Sequence, residues 1–451
     1  MGIKQDLQTL EDYYKRPSND IVIVYSNGLS NLDGVLSEFL KDKEYFKYVS
    51  KSCDSNLQLS FLKHDLYEQI KKNSFVSDDL GEMIRTFAES SDNKVVFVLE
   101  GMLHFLKEDK TFINFLSVIR SRMVGKSRIL ILLTSLDQSF VENSMVDFLK
   151  QSSYEIDAVL KIGSSDFAQL KERYNNVNLA DLLSIYLSVG SCFAGLSTIA
   201  NESSYKSYIC NNLLGINKPL FLLGKNILPD SLRIHTVYNT ILYYLANGVN
   251  KLNDLYARTG YERAKISVYL KNLSAYGMVR KGDKIPGICE KYQKKGTYYI
   301  DEPFVLFWYR FIFPNISRID TLPPERFYRK YIEPGLFSFL EETYPIVCLE
   351  EMSQYANKET SVIQWYYDKD EAIDFITGED NGKICVCACR YKSPHMSFGR
   401  LESVLSSCHK AGIEPYQIHL FSASGFDQKL SMYSHIHDEV ILHEHIDQRM
   451  K

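Results

Sequence analysis

The sequence predicts a multidomain α/β chain that opens on a parallel sheet, and three observations carry that expectation. Short apolar bursts recur through the first 165 residues, with helical patterns between them. Three helices and a hairpin follow at about 231–300, and a second mixture of strands and helices fills 336–451. A chain of 451 residues has room for about three domains. Its 45% apolar and 24% charged residues match a globular protein rather than a disordered or fibrous one.

Residues 1–20 read as a short polar helix. Ile21-Val22-Ile23-Val24-Tyr25 is too short for a helix and suits a strand buried on both faces. Val95–Leu99 and Ile129–Leu133 repeat that signal, and Ala158–Ile162 gives a weaker fourth strand. Helical patterns lie between them at Val35–Phe39, Phe61–Ile70, Asp79–Glu89, Phe112–Arg122 and Phe140–Lys150. Such alternation implies a parallel sheet covered on both sides, occupying 1–165.

From 166 to 228 the pattern turns helical, at Ala180–Val189, Cys192–Ala200 and Tyr205–Leu214. In 229–300, helices at Ile234–Ala246, Lys251–Arg258 and Glu262–Tyr276 precede two strands, Met278–Arg280 and Thr297–Ile300. Gly277 stands where a helix commonly ends on a left-handed residue. Three helices and a hairpin make a winged helix-turn-helix. A helical connector (301–335) leads to 336–451, where Val362–Tyr367, Ala372–Ile376 and Ile384–Cys389 read as a meander. Leu401–Ala411 is then a helix and Ile418–Ser422 a strand.

No apolar run approaches the ~18 residues of a membrane span, and Met1–Arg16 is polar. The nine cysteines lack a disulfide spacing, so reduced thiols in a soluble cytoplasmic protein are expected, with no membrane partner. Basic residues number 52 against 56 acidic, a net charge of -4. That balance does not demand nucleic acid, but a local patch stands out. Residues 261–300 hold Arg263, Lys265, Lys271, Arg280, Lys281, Lys284, Lys291, Lys294 and Lys295 against Glu262, Asp283 and Glu290. The first three lie on the helix that enters the major groove in winged helices, and Lys281, Lys284, Lys294 and Lys295 fall on the wing. Double-stranded DNA or a partner protein is the expected occupant; the alternative is a solvated surface.

Three segments carry a family resemblance: Lys251–Leu255, Ser267–Leu273 and above all Phe304–Asn315 (FVLFWYRFIFPN). With the order of domains, they resemble the archaeal-type P-loop ATPases of the signal-transduction branch, which also occur in bacteria. Members fuse a P-loop NTPase core, a helical lid, a winged helix and a restriction-endonuclease-like domain related to the PD-(D/E)XK nucleases. The resemblance implies ATP and magnesium as cofactors, held by a Gly-x-x-x-x-Gly-Lys-Thr loop after the first strand. This chain reads Ser26-Asn27-Gly28-Leu29-Ser30-Asn31-Leu32-Asp33 there. Ser26 and Asn31 stand for the glycines, Leu32 for the lysine and Asp33 for the threonine. The acidic pair expected after the second strand is Leu99-Glu100, so only Glu100 survives, while Thr134 suits the polar sensor after the third. Gly125-Lys126-Ser127 precedes its strand and reads as a loop.

The nuclease resemblance implies an Asp on one strand, Glu-x-Lys on the next and a Glu on an upstream helix. Asp374 takes the first place and Glu341 or Glu342 the last, while Glu-x-Lys reads Ala388-Cys389-Arg390. Alanine cannot ligate a metal and arginine is too basic to act as a base; Glu402 is a relocated alternative. Cys385, Cys387 and Cys389 fall on one strand face about 7 Å apart, too far for one tetrahedral zinc, so they read as core. His435, His437, His443 and His445 could bind zinc across a hairpin, but beside a polar terminus they read as solvated. Together these features predict an ATPase-family regulator or scaffold with degenerate sites; the alternative is a working ATPase or metal-dependent nuclease with altered motifs.

Overall fold

The computed structural model describes all residues except 1–2, 28, 30–31, 72–76, 102–110, 124–127, 146–149, 151–155, 164–165, 191, 193–197, 230–231, 233, 282–296, 356–360, 365–372, 379–382, 392–393 and 446–451. The chain divides into two compact units, Met1–Ser165 and Asp166–Lys451.

In the first unit, α1 (Ile3–Lys15) leads into β1 (Asp20–Tyr25), followed by α2 (Leu32–Leu40) and β2 (Tyr45–Val49). Then come α3 (Ser55–Ile70), α4 (Leu80–Ala88), β3 (Val95–Glu100), α5 (Thr111–Arg122), β4 (Ile129–Ser135) and β5 (Ala158–Lys161). The sheet order is β2-β3-β4-β1-β5, and every pairing is parallel. The bursts of the three central strands β1, β3 and β4 are buried throughout because helices cover both faces, whereas the weaker burst forms the half-buried edge strand β5, with Val159 exposed. One cluster gathers Ile21, Ile23, Phe97 and Leu133 with α3–α5. The other gathers Val22, Val24, Val98 and Leu132 with α1 and α2.

Two sequence expectations need correcting here. Among the described residues the sheet has five strands rather than four: β2 (YFKYV) is an edge strand whose Phe46 and Tyr48 are buried while Tyr45, Lys47 and Val49 are exposed. Half-burial replaces the continuous apolar run by an alternation that includes a lysine. The helix expected at Phe140–Lys150 begins as one π-helical turn, Phe140–Ser144, and 146–149 lie outside the described residues.

The second unit begins with α6 (Phe167–Arg173), α7 (Leu179–Val189), α8 (Tyr205–Asn212) and α9 (Pro219–Lys225). Of the expected Cys192–Ala200 helix, 193–197 lie outside the described residues, and a short turn at Ile199–Asn201 follows. Next come α10 (His235–Ala246), α11 (Leu252–Thr259) and α12 (Arg263–Ala275), then the antiparallel pair β6 (Val279–Lys281) and β7 (Tyr298–Ile300). Gly277 ends α12 at φ +69°, and the Met278 N–H donates back to Leu273 O at 3.0 Å, closing the helix end.

α13 (Pro303–Phe307) and α14 (Pro324–Phe327) are each continued by a π-helical turn, and α15 (Glu333–Tyr355) follows. Gly224 on α9 lets the chain approach the buried Trp308 ring: a Cβ there would meet it at 2.1 Å. The last segment holds β8 (Ser361–Gln364), β9 (Phe375–Gly378), β10 (Ile384–Arg390), α16 (Phe398–Ala411), β11 (Gln417–Ser422), α17 (Gln428–Ser434) and β12 (Val440–Glu444). Its order is β12-β11-β10-β9-β8, antiparallel from β8 to β10 and parallel from β10 to β12. Val386 and Ala388 pack in an apolar layer with Leu401 and Val404 of α16. No helix among the described residues is long and apolar enough to cross a membrane.

Candidate functional site

The first candidate lies at the carboxyl ends of the first sheet. From β1 the chain crosses to the far edge, returns through β3 and β4, and places β5 on the other side of β1. Open α/β sheets bind ligands at such a reversal of strand order. The Ser26 N–H donates to Ser135 O and the Gly101 N–H to Thr134 O, both at 3.0 Å, so backbone bonds tie these ends together.

What the side chains present there departs from a phosphate cradle. Leu32 opens α2 at 2% exposure and packs with Val22, Val24, Leu36, Val98 and Leu132. Asp33 is exposed in the first turn, where a carboxylate suits the helix dipole. Glu100 lies 2.6 Å from Lys47 Nζ on the neighbouring strand. The buried Thr134 hydroxyl, in register with Val24 and Glu100, has no hydrogen-bond partner among the described residues. Beside β1, the Tyr25 hydroxyl, Lys161 and Gln138 all donate to Glu142 at 2.8–3.0 Å. Those bonds outweigh partial burial and lower the Glu142 pKa. Burial and the Glu142 charge raise the Tyr25 phenol. Gly28 and Asn31 lie outside the described residues, as does Gly125-Lys126-Ser127; Asn27 Oδ1 accepts from the Leu29 N–H at 3.0 Å.

The second candidate lies at the carboxyl end of β10. Asp374 precedes β9, and its Oδ2 accepts from the Cys389 N–H at 2.7 Å and lies 3.4 Å from Arg400 of α16. Burial, opposed by those two donors and reinforced by the Glu341 charge, pushes the Asp374 pKa up to about 6. Among the described residues, Glu341 Oε2 is buried without a hydrogen-bond partner, whereas Glu342 is bound to Arg310 at 3.0 Å. Of the two glutamates, Glu341 is the one whose charge acts on Asp374. Arg390 ends β10, but the cation that reaches Asp374 is Arg400, which the sequence reading missed. A signal existed: a cation in the first turn of a helix opposes the dipole and calls for an anion nearby. Glu402 is exposed on α16.

The expectation of solvated histidines is corrected for two of the four. β12 pairs with β11, and His443 and His445 turn toward α15, where each bonds one oxygen of Glu351, at 2.7 and 2.6 Å. Tyr344 bonds His445 Nδ1 at 2.6 Å and His419 bonds His443 Nε2 at 2.9 Å, giving one continuous chain. The two imidazoles overcome partial burial and lower Glu351 to about 2, while burial lowers His419 to about 4. His435 is exposed, and His437 bonds Glu439 and stacks on Tyr433. Cys385, Cys387 and Cys389 are buried on the face toward α15. Among the described residues no set of three or more His, Cys, Asp or Glu is arranged to hold a metal ion.

The third candidate is α12. Arg263, Lys265 and Lys271 are exposed, and none has an ion-pair partner among the described residues. Arg263 lies over the Tyr256 ring and Lys265 over the Tyr261 ring, both at 5.2 Å. Lys281 is exposed on β6, while Arg280 is bound to Asp301 at 2.8 Å. Lys284, Lys291, Lys294 and Lys295 lie outside the described residues.

A family model described as archaeal and bacterial proteins of unknown function (DUF234) matches residues 308–403, a stretch that includes Glu341, Asp374 and Arg400. An uncharacterized protein of Methanocaldococcus jannaschii is 19% identical over 385 residues, 84% of each chain. Among solved structures, the chain is similar to the Walker-type ATPase paby2304 of Pyrococcus abyssi: 12% identity, TM-score 0.45, covering 68% of this chain and 95% of that one. It is also similar to the ORC2 protein of Aeropyrum pernix: 14% identity, TM-score 0.45, covering 76% and 94%.

Proposed function

We propose that this chain is a DNA-binding regulator or scaffold of P-loop ATPase ancestry that neither hydrolyses ATP nor cleaves DNA. One contrast carries the reading. The residue at the place of the phosphate-binding lysine is buried in an apolar core, while three cations of α12 are exposed and have no ion-pair partner among the described residues. Leu32 supplies no charge to a triphosphate, and exposed Asp33 adds like-charge repulsion. The Lys47 ion pair also occupies Glu100, the one surviving acid. The exposed cations of α12, which form no ion pair among the described residues, are available to DNA phosphates.

The test is fluorescence anisotropy with a labelled duplex at two salt concentrations, alongside calorimetric titration with ATP and magnesium. Binding should weaken steeply with salt, by about 0.9 logarithmic units per phosphate contact for each tenfold rise. It should weaken again when Arg263, Lys265 and Lys271 are changed to Gln. Binding indifferent to both changes would refute the reading, as would heat from ATP turnover.

One observation favours a second reading, a metal-dependent nuclease with an altered site. Asp374, just before β9, and Glu341 of α15 are partly buried acids close enough for the Glu341 charge to raise the Asp374 pKa, with Arg400 3.4 Å from Asp374. It predicts DNA cleavage that requires a divalent metal and disappears in Asp374→Ala. An altered ATPase would instead lose turnover in Glu100→Gln.

A further inference from the structure

On α12, Ile266, Leu270 and Leu273 are buried, so the opposite face looks out. Ala264, Val268, Lys271 and Ala275, at intervals of four, three and four residues, form its central stripe. Val268 is 58% exposed. Lys271 lies beside it, with Arg263 and Lys265 near the start of the same helix, all exposed. A single exposed valine needs no explanation in itself. At the middle of a face whose exposed cations complement a polyanion, its chemistry becomes restrictive.

Valine neither donates nor accepts hydrogen bonds, so pressing it against a groove floor strips water from whatever lies beneath. Guanine, cytosine and adenine offer hydrogen-bonding edges in the major groove, whereas thymine also offers a C5-methyl group. Only that methyl group gains from contact with valine. Resting on the reading of α12 as a duplex-binding helix, we infer that Val268 is a specificity-determining residue. It packs on a thymine methyl group and selects thymine at one position of the site.

The test replaces thymine by deoxyuridine, which lacks only the methyl group and keeps its base pairing. Duplexes recovered from a randomised pool by the full-length wild-type chain are substituted one thymine at a time. Affinity is then read for wild type and Val268→Ala, an exposed change toward a better helix former. At one thymine the wild type should lose about fourfold, the factor carried by one buried methyl group. Val268→Ala should lose nothing there and keep the wild-type salt dependence. If no single replacement matters to the wild type, or Val268→Ala loses the same fourfold, the inference is overturned while duplex binding stands. If neither protein binds any duplex, and changing Arg263, Lys265 and Lys271 to Gln has no effect, the underlying reading falls with it. Concentration-dependent dimerisation abolished by Val268→Asp would assign this face to a second copy and overturn the inference.

Discussion

Asp374 costs this protein stability, and replacing it by asparagine should recover part of that cost. Its pKa rises from 3.8 to about 6 because burial outweighs the Cys389 N–H and Arg400, and the Glu341 charge adds to the rise. At 1.36 kcal/mol per unit, a shift of about two units is worth about 3 kcal/mol. The side chain keeps 31% of its surface open to solvent, so water screens part of the effect and a gain of about 1–3 kcal/mol is expected. The unfolded carboxyl loses its proton near pH 4 and the folded one near pH 6, so between those values the folded chain holds more protons. Stability therefore falls as pH rises through that window and stays low above it. Asparagine mimics the protonated form and still offers an oxygen to the Cys389 N–H. Both tryptophans, Trp308 and Trp365, lie in the second unit, so urea unfolding followed by tryptophan fluorescence reads that unit alone. Asp374→Asn should exceed the wild type at about pH 8 and match it at about pH 4. An asparagine variant weaker than wild type at the higher pH, or a gain equal at both, would refute the reasoning.

Three further outcomes follow from residues already described. Leu32→Lys should lose at least about 2 kcal/mol, the burial of a leucine, without gaining ATP binding; circular dichroism melting and calorimetric titration check both halves. Gly224→Ala drives a methyl group into the Trp308 ring and should cost about 1–3 kcal/mol, read as an earlier unfolding transition in tryptophan fluorescence. His419, lowered from 6.5 to about 4 by burial and the neighbouring His443, stays neutral while its unfolded counterpart takes up a proton. Stability attributable to it is complete above pH 6.5 and lost as pH falls toward 4, by about 3 kcal/mol in all. His419→Phe should flatten that part of the pH profile, and an unchanged acid limb would show that the histidine is not its source.

The parallel core was legible because its central strands are buried on both faces, which leaves Ile21–Tyr25, Val95–Leu99 and Ile129–Leu133 as continuous apolar runs. Strand β2 escaped notice for the complementary reason: at an edge, Lys47 can face water and break the run. β12 escaped because its histidines resemble a solvated tail, and only the pairing with β11 turns them toward Glu351. The boundaries of α10–α12 followed from apolar spacing and from Gly277. The partners of the acids did not, because Arg400 lies 26 residues beyond Asp374 and His443 lies 92 beyond Glu351. Local patterning says nothing about which distant side chain a carboxylate will meet. The burial of Leu32, by contrast, follows from its placement at the start of an apolar helix face.

α15 is a shared beam, 23 residues long and about 35 Å end to end. Glu350 receives the Phe167 N–H at 3.0 Å and the Tyr186 hydroxyl, while adjacent Glu351 holds the histidines of β12. Consecutive side chains thus moor this helix to α6 and α7 on one flank and to the second sheet on the other. A slide along its axis by a single turn would unseat both moorings in the same step. Within the second unit, loosening cannot stay local, because the rod that spaces the parts is also the bolt that joins them.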